Sequence, residues 1–225
     1  MDPDHDLRDF DNVCRLFPLP NVVLLPHVIL PLHIFEPRYR QMTEDALASD
    51  RLITIVQIRP DADWKSDAEP AIEQVACLGK ILDCERLLDG RFNFLLVGRK
   101  RVRLRRELPK TKLYRQAEVE ILEDETPEEP LDVLRSELIA RFRDLNSVLP
   151  ELDPEMARLL DSDLALGPLT DILGHSLGLP ANLKQSFLAE PRVDQRARSL
   201  VKILGQILGP GDLPQRPFPP PFSPN

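Results

Sequence analysis

The most conspicuous chemical run in the chain is RKRVRLRR, Arg99 to Arg106, with six basic residues in eight. Such a run is suited to docking an acidic protein surface or the phosphates of RNA. Val102 and Leu104 alternate with the charges, however, which is the pattern of a strand with one solvated face. No glycine-aromatic RNP pattern or interleaved stacking residue accompanies it. A solvated face is therefore the first reading, a basic docking patch the second, and RNA the third. Glu36, Arg38 and Arg40 form a second charged group, in which Glu36 helps to cap a helix and the arginines pair with carboxylates or carbonyls.

Nucleophile and metal chemistry find little support. The histidines His5, His27, His33 and His175 show neither i, i+4 pairing nor a third ligand, and the cysteines Cys14, Cys77 and Cys84 have no C-x2-C spacing. These thiols are expected as small apolar packing groups. Ser66, Ser162 and Ser176 sit in no G-x-S-x-G elbow. Gly79-Lys80 has Gln74 where the first glycine of a phosphate loop belongs and Ile81 where its hydroxyl belongs, so an ATP site is not expected. No cofactor, metal or catalytic residue is assigned. Trp64, in a polar loop, is the one candidate anchor for a bound peptide.

The elements that must position these residues are short. Proline is about twice as frequent as usual, 23 in 225 residues, which excludes long uninterrupted helices from much of the chain. LFPLPNVVLLPHVILPLHIF, Leu16 to Phe35, is broken by Pro18, Pro20, Pro26 and Pro31 into strands around turns at Pro20-Asn21 and Pro26-His27. Pro37 opens a helix carrying Tyr39, Met42, Ala46 and Leu47 on one face. Leu52 to Ile58 reads as a buried strand. Cys77 to Leu87 and the run after Arg91 flank Asp89-Gly90, which predicts a two-residue type I′ hairpin. Strands at Val102/Leu104 and Ala117/Val119/Ile121 bring the total to six or seven, enough for a small barrel.

After the acidic stretch Glu123 to Pro130, Thr126, Pro127 and Glu129 read as a capping box that starts a helix with the stripe Leu131, Leu134, Leu138, Phe142 and Leu145. Further helices are predicted from Pro154, Gly167, Ala181 and Asp194. The last 16 residues hold seven prolines and are expected to be disordered or polyproline II. A net charge of −8 repels polyanions at long range. The acidic N-terminus resembles no signal peptide and no segment is apolar enough to span a membrane, so a cytoplasmic protein without nucleic-acid or membrane partners is expected.

Leu16 to Met42, LFPLPNVVLLPHVILPLHIFEPRYRQM, resembles the opening signature of the Lon protease N-terminal, or LON substrate-binding, domain. The similarity continues through Cys77 to Leu104 and, more weakly, Leu169 to Leu204. The resemblance implies an α+β fold: a PUA-like β-barrel at 10–123, an α-helical bundle at 127–208, and a proline-rich tail at 209–225. Pro31, His33, Phe35, Glu36, Pro37, Arg38 and Tyr39 are the signature residues, expected to be structural. Full Lon proteases continue into an ATPase and a serine-lysine protease, and the chain ends where those would begin. The implied function is non-catalytic binding of unfolded or hydrophobic polypeptide segments, or of one specific protein, as an adaptor in proteolysis or quality control. A separate ATP-dependent protease is a further implied partner. An apolar groove between barrel and helices and exposed strand edges are the expected means. A PUA-like RNA-binding module using Arg99–Arg106 and an uncharacterised hydrolase remain as alternatives.

Overall fold

The computed structural model describes residues 7, 10–63, 69–148 and 154–209. Trp64, His5, Ser66 and most of the expected proline-rich tail lie outside them. The chain divides into two compact units, one running to Glu123 and including Pro180–Ala189, the other comprising Asp124–Leu179 and the chain from Glu190.

Among its described residues the first unit holds six strands: β1 (Val13–Leu19), β2 (Ile29–Ile34), β3 (Leu52–Gln57), β4 (Val75–Arg86), β5 (Phe92–Glu107) and β6 (Arg115–Leu122). Their order is β2-β5-β4-β3-β1-β6, and a further β5–β6 pairing closes the sheet on itself. Among these described strands only β1 and β3 pair in parallel; helix α1 (Pro37–Leu47) lies in the connection between them. Closure depends on the length of β5. It spans 16 residues, its first half pairing with β2 and its second with β6, while β4 follows it across both. Register shifts at Leu78/Gly79, Ile81/Asp83 and Leu104/Arg106 bend the long strands as closure demands.

The basic run and the preceding RFNFLLVG thus belong to one strand, continuous through Gly98, rather than to two. Glycine is required there. A Cβ at Gly98 would lie 2.2 Å from the carbonyl oxygen of Leu25, where the chain turns at His27 and bonds to Gly98 through both backbone groups, His27 N to Gly98 O at 2.9 Å and Gly98 N to Val28 O at 2.8 Å. Of the four prolines expected to break the first segment, only Pro20 and Pro26 do so; Pro18 and Pro31 lie within β1 and β2. Asn21 and His27 adopt left-handed φ values of 58° and 64° in the turns following Pro20 and Pro26.

The hairpin between β4 and β5 differs from expectation. Gly90 alone has positive φ, 81°, and Leu87 N bonds to Arg91 O (2.8 Å) while Gly90 N bonds to Leu87 O (2.9 Å). The loop is therefore the three-residue form Leu88-Asp89-Gly90, in which one left-handed glycine suffices. Asp89 stays in ordinary φ space and accepts a hydrogen bond from the Arg91 amide at 3.1 Å.

Inside the barrel, Cys14, Leu16, Leu52, Val56, Ala76, Leu78, Val102, Ala117 and Val119 form one buried cluster. All six β3 residues are buried, as a β-branched run covered on both faces should be. Helix α1 buries Tyr39, Met42, Thr43 and Ala46 at helical spacing. Helix α5 (Ala181–Ala189) also belongs to this unit; Gln185 reaches β4 and donates to the Val75 carbonyl at 2.9 Å.

The second unit contains α2 (Asp132–Val148), α3 (Pro154–Leu160), α4 (Leu166–Ser176) and α6 (Val193–Leu208). Leu138, Phe142 and Leu145 of α2 are buried, as are Ala197, Leu200 and Leu204 of α6. The capping box at Thr126 does not form. Helix α2 begins at Asp132, its first bond running from Arg135 N to Leu131 O at 2.8 Å. Pro130 explains the shift: in a helix capped by Thr126 it would occupy the position of the first hydrogen-bonded amide, which proline lacks. Instead, Glu125 pairs with Arg192 in a short parallel bridge, with Glu125 N to Pro191 O at 2.9 Å and Val193 N to Glu125 O at 3.0 Å. The acidic stretch is stitched to the start of α6.

Candidate functional site

The signature residues separate into a buried set and a surface set. Tyr39 packs its ring 4.2 Å from that of Phe17, with the Arg38 guanidinium carbon over the ring, 4.5 Å from its centroid. Burial pushes its phenol up to about 12. Pro37 is the first residue of α1, and Glu36 is the N-cap by backbone geometry, its carbonyl accepting from the amides of Tyr39 (3.0 Å) and Arg40 (2.9 Å). The Glu36 carboxylate makes no capping bond; it takes Arg38 at 2.8 Å instead. Arg40 rests against the hairpin, where a Cβ on Gly90 would fall 2.2 Å from its Nη2. These residues fasten helix and hairpin to the barrel.

Pro31, His33 and Phe35 point outward. β2 faces β5 in the register Pro31↔Leu95 and His33↔Asn93, and alternation leaves these four side chains on the outer face. Ile29 (50% exposed), Phe35 (45%) and Leu95 (39%) lie on this part of the barrel, along with Leu82 beside the bulge of β4. His33 and Asn93 join at 2.7 Å. With Nδ1 donating to Asn93 Oδ1, His33 Nε2 is left to accept from Arg91 at 3.3 Å, and the ring stacks on Phe35 at 6.2 Å. Among the described strands β2 pairs with β5 alone, so its second edge is not part of the sheet. Exposed apolar side chains beside an open strand edge suit an extended polypeptide, whose backbone can pair with the edge while alternate side chains contact the face.

A second concavity lies in the same unit, a pocket of about 310 Å³ where the end of β3, the start of β4 and α5 meet. Gln57 and Gln185 line it and are only 4% and 8% exposed. Neither Oε1 has a hydrogen-bond partner. Glu73 and Asn182 stand in its walls. Nothing in the sequence marks these residues, because a lone glutamine in a strand and another in a helix carry no motif.

The basic strand is matched by acids across the barrel seam. Arg106 lies 2.6 Å from Glu118, Lys100 2.9 Å from Glu123, and Arg105 also pairs with Glu120. Arg101 is 3% exposed and belongs to the interior. Three of the six cations are thus paired with acids on or just after β6, which alternates Glu118 and Glu120 with Ala117 and Val119 in register with the run. Gly79-Lys80 sits within β4, its glycine pressed against Leu96, and so is a strand rather than a phosphate loop. Cys14 and Cys77 are buried and Cys84 is half-buried; burial pushes the Cys14 thiol up to about 12. His27 occupies its turn and His175 lies on α4. Among the described residues no group of three His, Cys, Asp or Glu converges on a possible metal site, and no helix is long and apolar enough to cross a membrane.

Residues 13–206 match the family model for the substrate-binding domain of ATP-dependent protease La (LON). The chain belongs to the LON substrate-binding domain family. The Lon protease of Rhizobium meliloti (strain 1021) is 27% identical over 197 residues, covering 86% of this chain and 24% of that protein. Lon protease 2 of Myxococcus xanthus is 26% identical, covering 88% and 24%. The chain thus spans about a quarter of the length of these relatives. The N-terminal domain of Mycobacterium avium complex Lon protease shares the fold, with a TM-score of 0.71 at 16% identity over 87% of this chain and 100% of that one. A Lon N-terminal domain protein from Xanthomonas campestris superposes with a TM-score of 0.60 at 24% identity, over 84% and 97%. Membership of the LON family assigns the chain to the substrate-binding part of Lon rather than to its catalytic part.

Proposed function

We propose that this LON-family chain is a non-catalytic polypeptide-binding module, which holds unfolded or apolar protein segments, or one specific protein, and presents them to a separate ATP-dependent protease. The observation that carries the reading is the outer face of β2 and β5, where Ile29, Phe35 and Leu95 are exposed beside a strand edge that pairs with no other described strand. An extended segment pairing with β2 gains backbone hydrogen bonds and covers this apolar surface. Pro31 removes one donor from that edge, which disfavours self-association more than it disfavours a short guest. Affinity should be micromolar or weaker, because an unfolded segment must be ordered as it binds.

The test is fluorescence anisotropy of the full chain with a labelled, unstructured apolar peptide. Binding should persist in about 0.5 M salt, since apolar burial is not screened as exposed ion pairs are. Leu95→Glu and Ile29→Lys should each weaken it by about tenfold or more, because a charge on the contact face must be desolvated. Undiminished affinity in both variants would refute the face. Turnover of casein that copurifies with the protein would refute the non-catalytic reading.

A further inference from the structure

We propose that the pocket between the end of β3, the start of β4 and α5 is a subsite for a cationic side chain, lysine or arginine, of a bound polypeptide. The inference rests on the polypeptide-binding reading for its physiological ligand, but the subsite has its own evidence. Two carboxamides more than nine-tenths buried, Gln57 and Gln185, line the pocket, and the Oε1 of each lacks a partner. An unsatisfied buried acceptor is costly, and two of them on residues that line one cavity mark a place where donors are wanted, although each oxygen is itself enclosed and must be turned toward the cavity by a side-chain rotation to meet a ligand.

The identity of the two Gln185 amide atoms is fixed chemically. Its Nε2 donates to the Val75 carbonyl at 2.9 Å, so exchanging its amide atoms would set two oxygens against each other. Its Oε1 is therefore an acceptor by necessity. Glu73 adds a carboxylate to the wall, its own amide held by the Gln57 carbonyl at 2.9 Å. Gln57 Oε1, Gln185 Oε1 and the Glu73 carboxylate together ask for a group with several donors and positive charge. An ammonium offers three donors and no acceptor, and a guanidinium offers five. An anion or a carbonyl-rich ligand would meet like partial charges. The chain's net charge of −8 draws cationic segments toward it as well.

Two measurements test this. In the first, the labelled apolar peptide carries a single central lysine, arginine or Nε-acetyl-lysine, the last keeping the four-carbon stem but gaining an acetyl group and losing the charge and two donors. The lysine and arginine peptides should bind the full chain about tenfold more tightly than the acetylated one, as expected for charge-assisted hydrogen bonds. Glu73→Gln, and separately Ala189→Trp at the exposed rim, should reduce that preference to under about twofold. In the second, Nα-acetyl-lysine methylamide is titrated at millimolar concentration while the side-chain amide resonances of Gln57 and Gln185 are followed by NMR. Selective, saturable shifts of both support the subsite even where no peptide binds, and that combination would sink the polypeptide reading alone. Equal affinity for charged and acetylated peptides, a preference untouched by both substitutions, or glutamine resonances unmoved by the lysine derivative would each overturn the subsite and leave a merely hydrated pocket.

Discussion

Replacing Arg196 with methionine removes a heavily bonded cation from the second unit. Its side chain is fully buried. The two terminal nitrogens grip Asp124 at 3.0 and 2.7 Å, Nη1 also donates to the carbonyls of Glu190 and Pro191 (3.0 and 3.1 Å), and Nε donates to Thr170 at 3.2 Å. Asp171, itself fully buried, lies 3.7 Å from Nε. Methionine fills a similar volume but takes the guanidinium away from both carboxylates. Breaking a buried pair from one side costs about 3–5 kcal/mol. Asp124 is about a third exposed and regains some hydration, so the lower end, about 3 kcal/mol, is expected. With a urea slope of about 2 kcal/mol per molar, the midpoint should fall by about 1.5 M. Urea unfolding followed by far-ultraviolet circular dichroism measures this directly. Adding Asp171→Asn should recover part of the loss, because the two changes act on one network. A cost below about 1 kcal/mol, the range of exposed ion pairs, would refute the argument that this arginine holds Asp124 to α4 and α6.

Gly98→Ala places a methyl group 2.2 Å from the Leu25 carbonyl oxygen, so β5 or the His27 turn must shift; a loss of about 1–3 kcal/mol in thermal or urea unfolding is expected. Asp45, beside the Tyr114 hydroxyl at 2.7 Å, is held below the usual carboxylate range because the hydrogen bonds from Tyr114 and Lys112 outweigh its desolvation. Its folded pKa being depressed, the contribution is present above the unfolded value of about 3.9 and is lost as pH falls through the folded one. Asp45→Asn should therefore flatten the acid limb of stability, measured as Tm against pH. Cys14 should resist thiol reagents until the chain unfolds, since its raised pKa leaves almost no thiolate, whereas half-buried Cys84 should react first; timed mass spectrometry of the labelled protein separates them. Charge reversal at Arg105 and Arg106 should leave peptide affinity within about twofold in the anisotropy assay, while Arg101→Glu should lower stability because that side chain is interior.

The sequence by itself determined which segments could not be helical. Pro20 and Pro26 turn the first apolar stretch, Pro18 and Pro31 keep the strands on either side from being helical, Pro37 starts α1, and alternation around Val102 and Val119 makes strands. It also carried the family signature, since fixed proline and glycine positions are local constraints that survive without knowledge of the fold. Proline misled where two local signals competed. Thr126 and Glu129 looked like a cap, but Pro130 defers the helix to Asp132, and the Glu125–Arg192 bridge that takes its place is a long-range pairing. In the same way, Asp89-Gly90 marked a hairpin, but its loop length follows from the registers of β4 and β5 on either side.

Only the tertiary structure decided which charges and polar groups matter. Six basic residues in eight resemble a docking patch until Glu118 and Glu120 of β6, and Glu123 just after it, stand beside them. The signature Pro31, His33 and Phe35 are indistinguishable in sequence from their buried neighbours Ile34 and Tyr39, because the parity of a strand names two faces without saying which is outside. Gln57 and Gln185, on a strand and a distant helix, become one acceptor-lined pocket only when α5 packs with the barrel. Hydrophobic period and proline placement act over a few residues and can be read directly; desolvation, ion pairing and exposure depend on what the rest of the chain brings alongside.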